Sequence, residues 1–178
     1  MSDFMDLCVR RQSCRKFSDK PVKHEDLVKC VEAARLAPSA CNSQPWSFIV
    51  VEKPEIVEQI AKSTMVLGSN ATIDTAKAFF VVVEEYALLM PRLRAMLDNQ
   101  YFAKGDLGAA TVYLCLEAES LGLGTCIIGM FDRPMLRELL NIPNDKRIAA
   151  LVSVGYPDDE TVRPKVRKPL DEILRCVR

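Results

Sequence analysis

The sequence predicts an α+β domain with helices packed around a central sheet. Three observations carry that expectation. Ala78 to Val83 (AFFVVV) and Ile148 to Val154 (IAALVSV) are short β-branched or aromatic runs of the kind buried in the middle of a sheet. Around them lie longer stretches whose apolar residues recur at helical spacing. No repeat, low-complexity tract or Pro/Gly/Ser-rich linker divides the 178 residues, 49 % of them apolar, so one domain over 1–178 with a substantial core is expected.

Taken in order, Leu27, Val28, Val31, Ala34 and Leu36 predict a helix over 24 to 37, which Pro38 stops. Trp46 to Glu52 (WSFIVVE) reads as a strand and 54 to 65 as a helix. Helices follow at 87 to 99 and 106 to 121, then a short strand at Thr125 to Ile128, and further helices at 133 to 140 and 169 to 176. Segment 107 to 121, LGAATVYLCLEAESL, is apolar on almost every side and needs cover all round. It is either an ordinary core helix or a central helix at a two-fold interface, where a second subunit supplies the missing cover.

Composition excludes several classes. Positive and negative side chains balance at 24 each, leaving no global field for nucleic acid or an acidic membrane. The opening residues Met1 to Asp6 carry two acids and no apolar core, which argues against a secretory signal and makes the cytoplasm the expected location. The richest apolar stretch, Leu107 to Ile128, is broken by Glu117, Glu119 and Ser120, so no bilayer span is expected. The seven cysteines form no CxxC pair, which suggests neither a disulfide framework nor a zinc site. The one histidine, His24, sits beside Glu25 and Asp26 at a helix start, and a hydrolase built on Cys41 and His24 lacks a third orienting group.

Candidate chemistry lies in four places. Arg10-Arg11-Gln12-Ser13-Cys14-Arg15-Lys16 sets four cations and a hydroxyl in seven residues without an acid, which suits either a phosphate or solvated surface. A second basic run, Arg163 to Lys168, precedes the last helix, and the two runs can converge on one anion. The loop from Ala37 to Trp46 (APSACNSQPW) is dense in polar groups and stiffened by proline; it can address the edge of a planar heterocycle or satisfy its own backbone. Finally, Leu121 to Asp132 (LGLGTCIIGMFD) lets something approach the backbone at its glycines. Its GLG follows a helix, the wrong context for a Rossmann fingerprint.

In this order, RxSxR with a following aromatic (Arg11, Ser13, Arg15, Phe17), a helix plus APSxxNxQPW, DxGAA at 106 to 110, LGLGTCIIGxFD, and VGYP with a basic tail resemble the nitroreductase family along nearly the whole chain. The resemblance implies a central mixed, mostly antiparallel sheet flanked by helices, and a homodimer with FMN at the subunit interface. It implies that Arg11, Ser13 and Arg15 hold the phosphate and ribityl end of FMN, joined by Lys165 and Arg167. Gln12 fills the position after the first arginine, and Pro38, Ser39 and Asn42 line the isoalloxazine. Asn70, Ile128 and Gly129 complete the set, Gly129 offering a backbone N–H near flavin N5. The dimer partner supplies part of each site.

Many relatives carry a lysine near the flavin pyrimidine where this chain has Ile73, and Lys77 is out of register. Unless Arg15 replaces that cation, a lower flavin potential follows. The implied activity is ping-pong transfer from NADH or NADPH to a nitroaromatic, quinone or similar small acceptor, with no protein nucleophile and no metal. Residues 86 to 104 are expected to cover the flavin mouth, with Tyr86, Met90, Arg92, Tyr101 and Phe102 either touching substrate or packing on the next helix. Alternatives are reductive dehalogenation, heterocycle dehydrogenation, oxidative breakdown of the flavin itself and a flavin-binding module without turnover.

Overall fold

A computed structural model describes residues 4–65, 73–98 and 100–178. Four strands, β1 (Trp46–Val51), β2 (Ala78–Glu84), β3 (Gly124–Ile128) and β4 (Arg147–Gly155), form one sheet in the order β1-β2-β4-β3. Each neighbouring pair is antiparallel. Among the described residues the parallel component is a single bridge between Ser13 and Thr125.

The sheet is sandwiched because its central strands are apolar on both faces. All seven residues of β2 are buried, and the period of two sends Phe79, Val81 and Val83 to one core cluster and Ala78, Phe80 and Val82 to the other. Helices α3 (Pro54–Ser63) and α6 (Arg133–Leu139) cover the first face with Val57, Ile60 and Leu136. Helices α2 (His24–Arg35) and α5 (Ala103–Ser120) cover the second with Leu27, Cys30, Leu107 and Leu114. Burying a side chain of that size stabilises by about 1.5–3 kcal/mol, so the β2 ladder alone fixes the register.

Two expectations of helix extent change. The helix expected over 87 to 99 shrinks to α4 (Pro91–Arg94). Pro91 lacks the N–H that a helix already running through it would need, so it can only start one. The closing helix expected at 169 to 176 shrinks to α7 (Leu170–Ile173), which buries nothing and so has no packing to extend it. A short helix α1 (Phe4–Arg10), with no buried residue, precedes the first basic run and was not expected from periodicity.

Helix α5 buries Leu107, Ala110, Leu114 and Ala118 but leaves Val112 and Tyr113 49 % and 43 % exposed. A Cβ at Gly105 or Gly108 would meet nothing within 4 Å. In one chain, then, this apolar helix is covered along one side only.

Candidate functional site

The two basic runs meet. After α1, residues 13 to 17 lie along the outer edge of β3, where Ser13 bridges Thr125 and the Cys14 N–H donates to the Thr125 carbonyl at 2.8 Å. Phe17 bridges Pro157 and buries its ring. Two glycines form the floor for this segment, and they are cross-strand partners, Gly124 on β3 and Gly155 on β4. A Cβ at Gly124 would stand 2.7 Å from the Cys14 Cβ, and one at Gly155 2.8 Å from the Phe17 ring. Only glycine permits so close an approach.

Beyond β4 the chain folds back over residues 11 to 15. Gln12 Nε2 donates to the Thr161 carbonyl at 2.8 Å, Arg163 donates to the Ser13 carbonyl at 2.7 Å, and Lys165 Nζ donates to the Arg11 carbonyl at 2.6 Å. The result is a cleft of about 310 Å³ lined by Arg11, Gln12, Ser13, Arg15, Arg163, Lys165 and Arg167 among others, with no carboxylate on its wall.

Its electrostatics call for an anion. Partial burial, followed by the neighbouring Arg11, Arg167 and Arg163, holds the Lys165 ammonium below the usual lysine range, with Glu119 pulling the other way. Burial raises the Glu119 carboxyl in turn, against Arg10, Lys165 and Arg11. Planar guanidinium forks, an ammonium and the Ser13 hydroxyl make a donor set matched to the oxygens of a phosphate dianion. A phosphorylated cofactor therefore fits the residues present.

Beside the cleft, β3 is an edge strand, and past the Ser13 bridge no strand among the described residues pairs with its outer side. The Thr125 carbonyl points outward to Cys14, so the period of two sends the backbone of Ile127, and of Gly129 by continuation, to that open edge. Ile127 is exposed, whereas Ile128 is buried in the core and, by the same alternation, turns its backbone to Leu151 of β4. The Cβ position of Gly129 is open space. Arg133 stacks over the Phe131 ring and donates to the Gly129 carbonyl at 3.1 Å, which fixes that corner.

The polar loop lies elsewhere. Its backbone is held in left-handed conformations at Cys41, Asn42 and Gln44 (φ 55, 52 and 45°), a cost accepted by non-glycine residues mostly at functional loops. Ser39 Oγ accepts from the Gln44 N–H at 3.0 Å, and the Asp106 carboxylate accepts from the Ala40 N–H at 3.1 Å. Pro38 and Asn42 remain exposed. Asp106 opens α5, while Glu119, 4.0 Å from Arg10 beside the basic cleft, closes it. At 1.5 Å per residue the two ends stand about 20 Å apart, so one chain does not bring Pro38, Ser39 and Asn42 to its own cleft.

Asn70 lies outside the described residues. Ile73 is fully buried, and Lys77 pairs with Asp19 at 2.9 Å, so neither sets a cation at the cleft. Tyr86, Met90, Arg92 and Tyr101 are exposed and Phe102 is half-buried, its ring edge-to-face with Tyr101. Gln100 ties their segment to the sheet, donating to Glu84 at 2.7 Å and accepting from the Ala87 N–H at 2.7 Å. Glu84 and Glu85 pair in turn with Arg147 and Lys146. Sequence reasoning did not single out Asp106, Gly155 or Gln100; the first two lie within the DxGAA and VGYP motifs, and nothing local separates Gln100 from the neighbouring amide Asn99. Among the described residues no His/Cys/Asp/Glu group could hold a metal, and no helix is long and apolar enough to cross a membrane.

Residues 9–156 match the model of the Nitroreductase family. The chain is 35 % identical, over 90 % of its length and 88 % of the other's, to an Archaeoglobus fulgidus protein provisionally named an NADH dehydrogenase/NAD(P)H nitroreductase. It is 27 % identical to the iodotyrosine deiodinase of Thermotoga neapolitana, covering 98 % and 97 % of the two chains. Its fold superposes on the solved FMN-dependent nitroreductase of Clostridium difficile with a TM-score of 0.79 at 25 % identity, covering 97 % and 98 %.

Proposed function

The chain belongs to the nitroreductase family, and from that membership we propose that it is an FMN-dependent oxidoreductase, active as a homodimer, that carries electrons from NADH or NADPH to small electron-poor acceptors such as nitroaromatics or quinones. The observation that carries the reading is the closure of two basic runs, from opposite ends of the sequence, around one cleft free of carboxylates.

In this reading Arg11, Arg15, Lys165 and Arg167 neutralise the phosphate, and Ser13 adds a hydroxyl donor. Several charge-assisted hydrogen bonds of about 1.5–3 kcal/mol each, without strict additivity, suffice for micromolar binding, about 8 kcal/mol. When bound, FMN supplies the two-electron redox step, taking hydride from the nicotinamide and passing electrons to the acceptor. The protein orients, shields and tunes. The open edge of β3 offers the Gly129 backbone and the Ile127 side chain to a flat ring, and Arg133 keeps that corner rigid. Pro38, Ser39 and Asn42 complete the enclosure from the partner subunit.

Two features support the dimer. The uncovered side of α5 (Gly105, Gly108, Val112, Tyr113) admits a close neighbour, and the C-terminal arm exposes Val166, Leu170, Ile173, Leu174 and Val177. A second copy covers both and brings its loop to the cleft, which fits the helix read from sequence as central to a two-fold interface.

Reductive dehalogenation is the second reading, favoured by the likeness to the deiodinase. One experiment separates the cases. The purified protein is expected to be yellow, and its absorption near about 450 nm is expected to bleach anaerobically on adding NADH or NADPH. Acceptors, nitroaromatic, quinone and iodinated phenol, are then screened for recovery of the colour. A yellow protein that neither nicotinamide bleaches would be a flavin carrier rather than an enzyme.

A further inference from the structure

Gln12 stands on the cleft wall, yet its amide is used within the chain. Nε2 donates to the Thr161 carbonyl at 2.8 Å, while Oε1 accepts from the Arg163 backbone N–H at 3.2 Å and from Arg163 Nε at 3.0 Å. The same guanidinium reaches past Gln12 to the Ser13 carbonyl at 2.7 Å. Gln12 and Arg163 are 151 positions apart in sequence, so this small unit sews one end of the chain to the other.

The arm needs such a fastening. Residues 158 to 169 form no helix or strand, and those from 158 onward are exposed except for half-buried Lys165. Five cations gather here, Arg11, Arg15, Arg163, Lys165 and Arg167, and like charges repel until an anion arrives. The Lys165 ammonium is lowered first by burial and then by its neighbours Arg11, Arg167 and Arg163.

We propose that Gln12 and Arg163 act as a clasp, positioning residues that dock the C-terminal arm so that Lys165 and Arg167 join Arg11 and Ser13 around the cofactor's phosphate, without binding it themselves. The inference rests on the FMN reading above and reassigns Gln12 from ligand to fastener. Arginine is required because its planar fork grips Gln12 and the Ser13 carbonyl at once; lysine keeps the charge but offers a single point of attachment.

The test is a double-mutant cycle on the full-length chain stripped of flavin, with Gln12→Leu, Arg163→Lys and the pair, titrated with FMN and with riboflavin by fluorescence quenching. A clasp acts as one unit. Each variant is expected to bind FMN about tenfold more weakly, and the pair also about tenfold rather than a hundredfold. Riboflavin, which lacks the phosphate, is expected to bind all four proteins alike. Trypsin cleavage after Lys165 and Arg167, measured without flavin, is expected to quicken in the same variants, with an unchanged unfolding midpoint as the folding control.

Additive losses would instead make Gln12 a direct ligand, and equal losses for riboflavin and FMN would make the pair a general fold element; either overturns the clasp. If the wild-type chain binds neither flavin, the cofactor reading fails by itself. In that case faster trypsin cleavage in the variants still upholds the clasp, and equal rates sink it.

Discussion

The basic cleft and the Pro38 to Asn42 loop are both dense in polar groups, yet they are finished to different degrees. The cleft is closed within one chain, by hydrogen bonds between residues about 150 positions apart. The loop is built to a strained shape and anchored to the far end of α5, away from the basic cleft. Under the proposed dimer, the difference teaches a division of labour: one chain would carry the anion site and half of a ring site, and association would supply the other half.

The largest expected effect breaks the loop's half alone. Val112→Arg on the uncovered side of α5 loses a buried valine twice in a symmetric interface and buries two charges, at a cost of about 3 kcal/mol or more. Light scattering is expected to show a monomer that has also lost flavin, although its cleft is untouched. A monomer that keeps full flavin would mean that the cleft suffices.

Next comes the cleft itself. Arg11→Ala is expected to purify folded but largely colourless, with FMN weakened by about 1.5–3 kcal/mol; stoichiometric flavin in that variant contradicts the phosphate assignment. The floor beneath it should cost folding stability instead. Gly124→Ala drives a Cβ to 2.7 Å from Cys14, and a loss of about 1–3 kcal/mol is expected in denaturant unfolding, along with reduced flavin.

The smallest effect is a pH dependence. Lys165 in the empty cleft has a lowered pKa, so it gives up its proton at a pH below the 10.5 of an ordinary lysine. Its charged form is the disfavoured one in the folded state. The penalty on folding is present below the folded pKa and is relieved as pH rises towards the unfolded value. Phosphate reverses that preference, so FMN affinity is expected to fall on the alkaline side as Lys165 loses its proton, more steeply than in Lys165→Met. Parallel profiles for the two proteins would remove Lys165 from the phosphate site.

Much of this was legible in the sequence, and what was not has physical reasons. The runs AFFVVV and IAALVSV announced central strands because burial on both faces leaves no polar alternation to mislead. The convergence of Arg11 to Arg15 with Lys165 and Arg167 was legible as charge without a counter-charge. Helix α1 was not, since a seven-residue helix that buries nothing has no periodicity to display. Pro91 cut short the helix expected over 87 to 99, because it can start a helix but not sit inside one. No local pattern could place the loop, because its distance from the cleft depends on the length of α5. The pairing of Gly124 with Gly155 was equally hidden, being a matter of register between distant strands.

Subunit complementation tests the division between cleft and loop most directly. A chain with Arg11→Ala is colourless through its cleft, and a chain with Asn42→Trp through its loop. Mixed dimers pair the sound cleft of one with the sound loop of the other, so flavin is expected to return to one site in each mixed dimer while both parent dimers stay empty. Mixed dimers that remain colourless would leave one lesion in every site, and the cleft and loop would then serve the same chain.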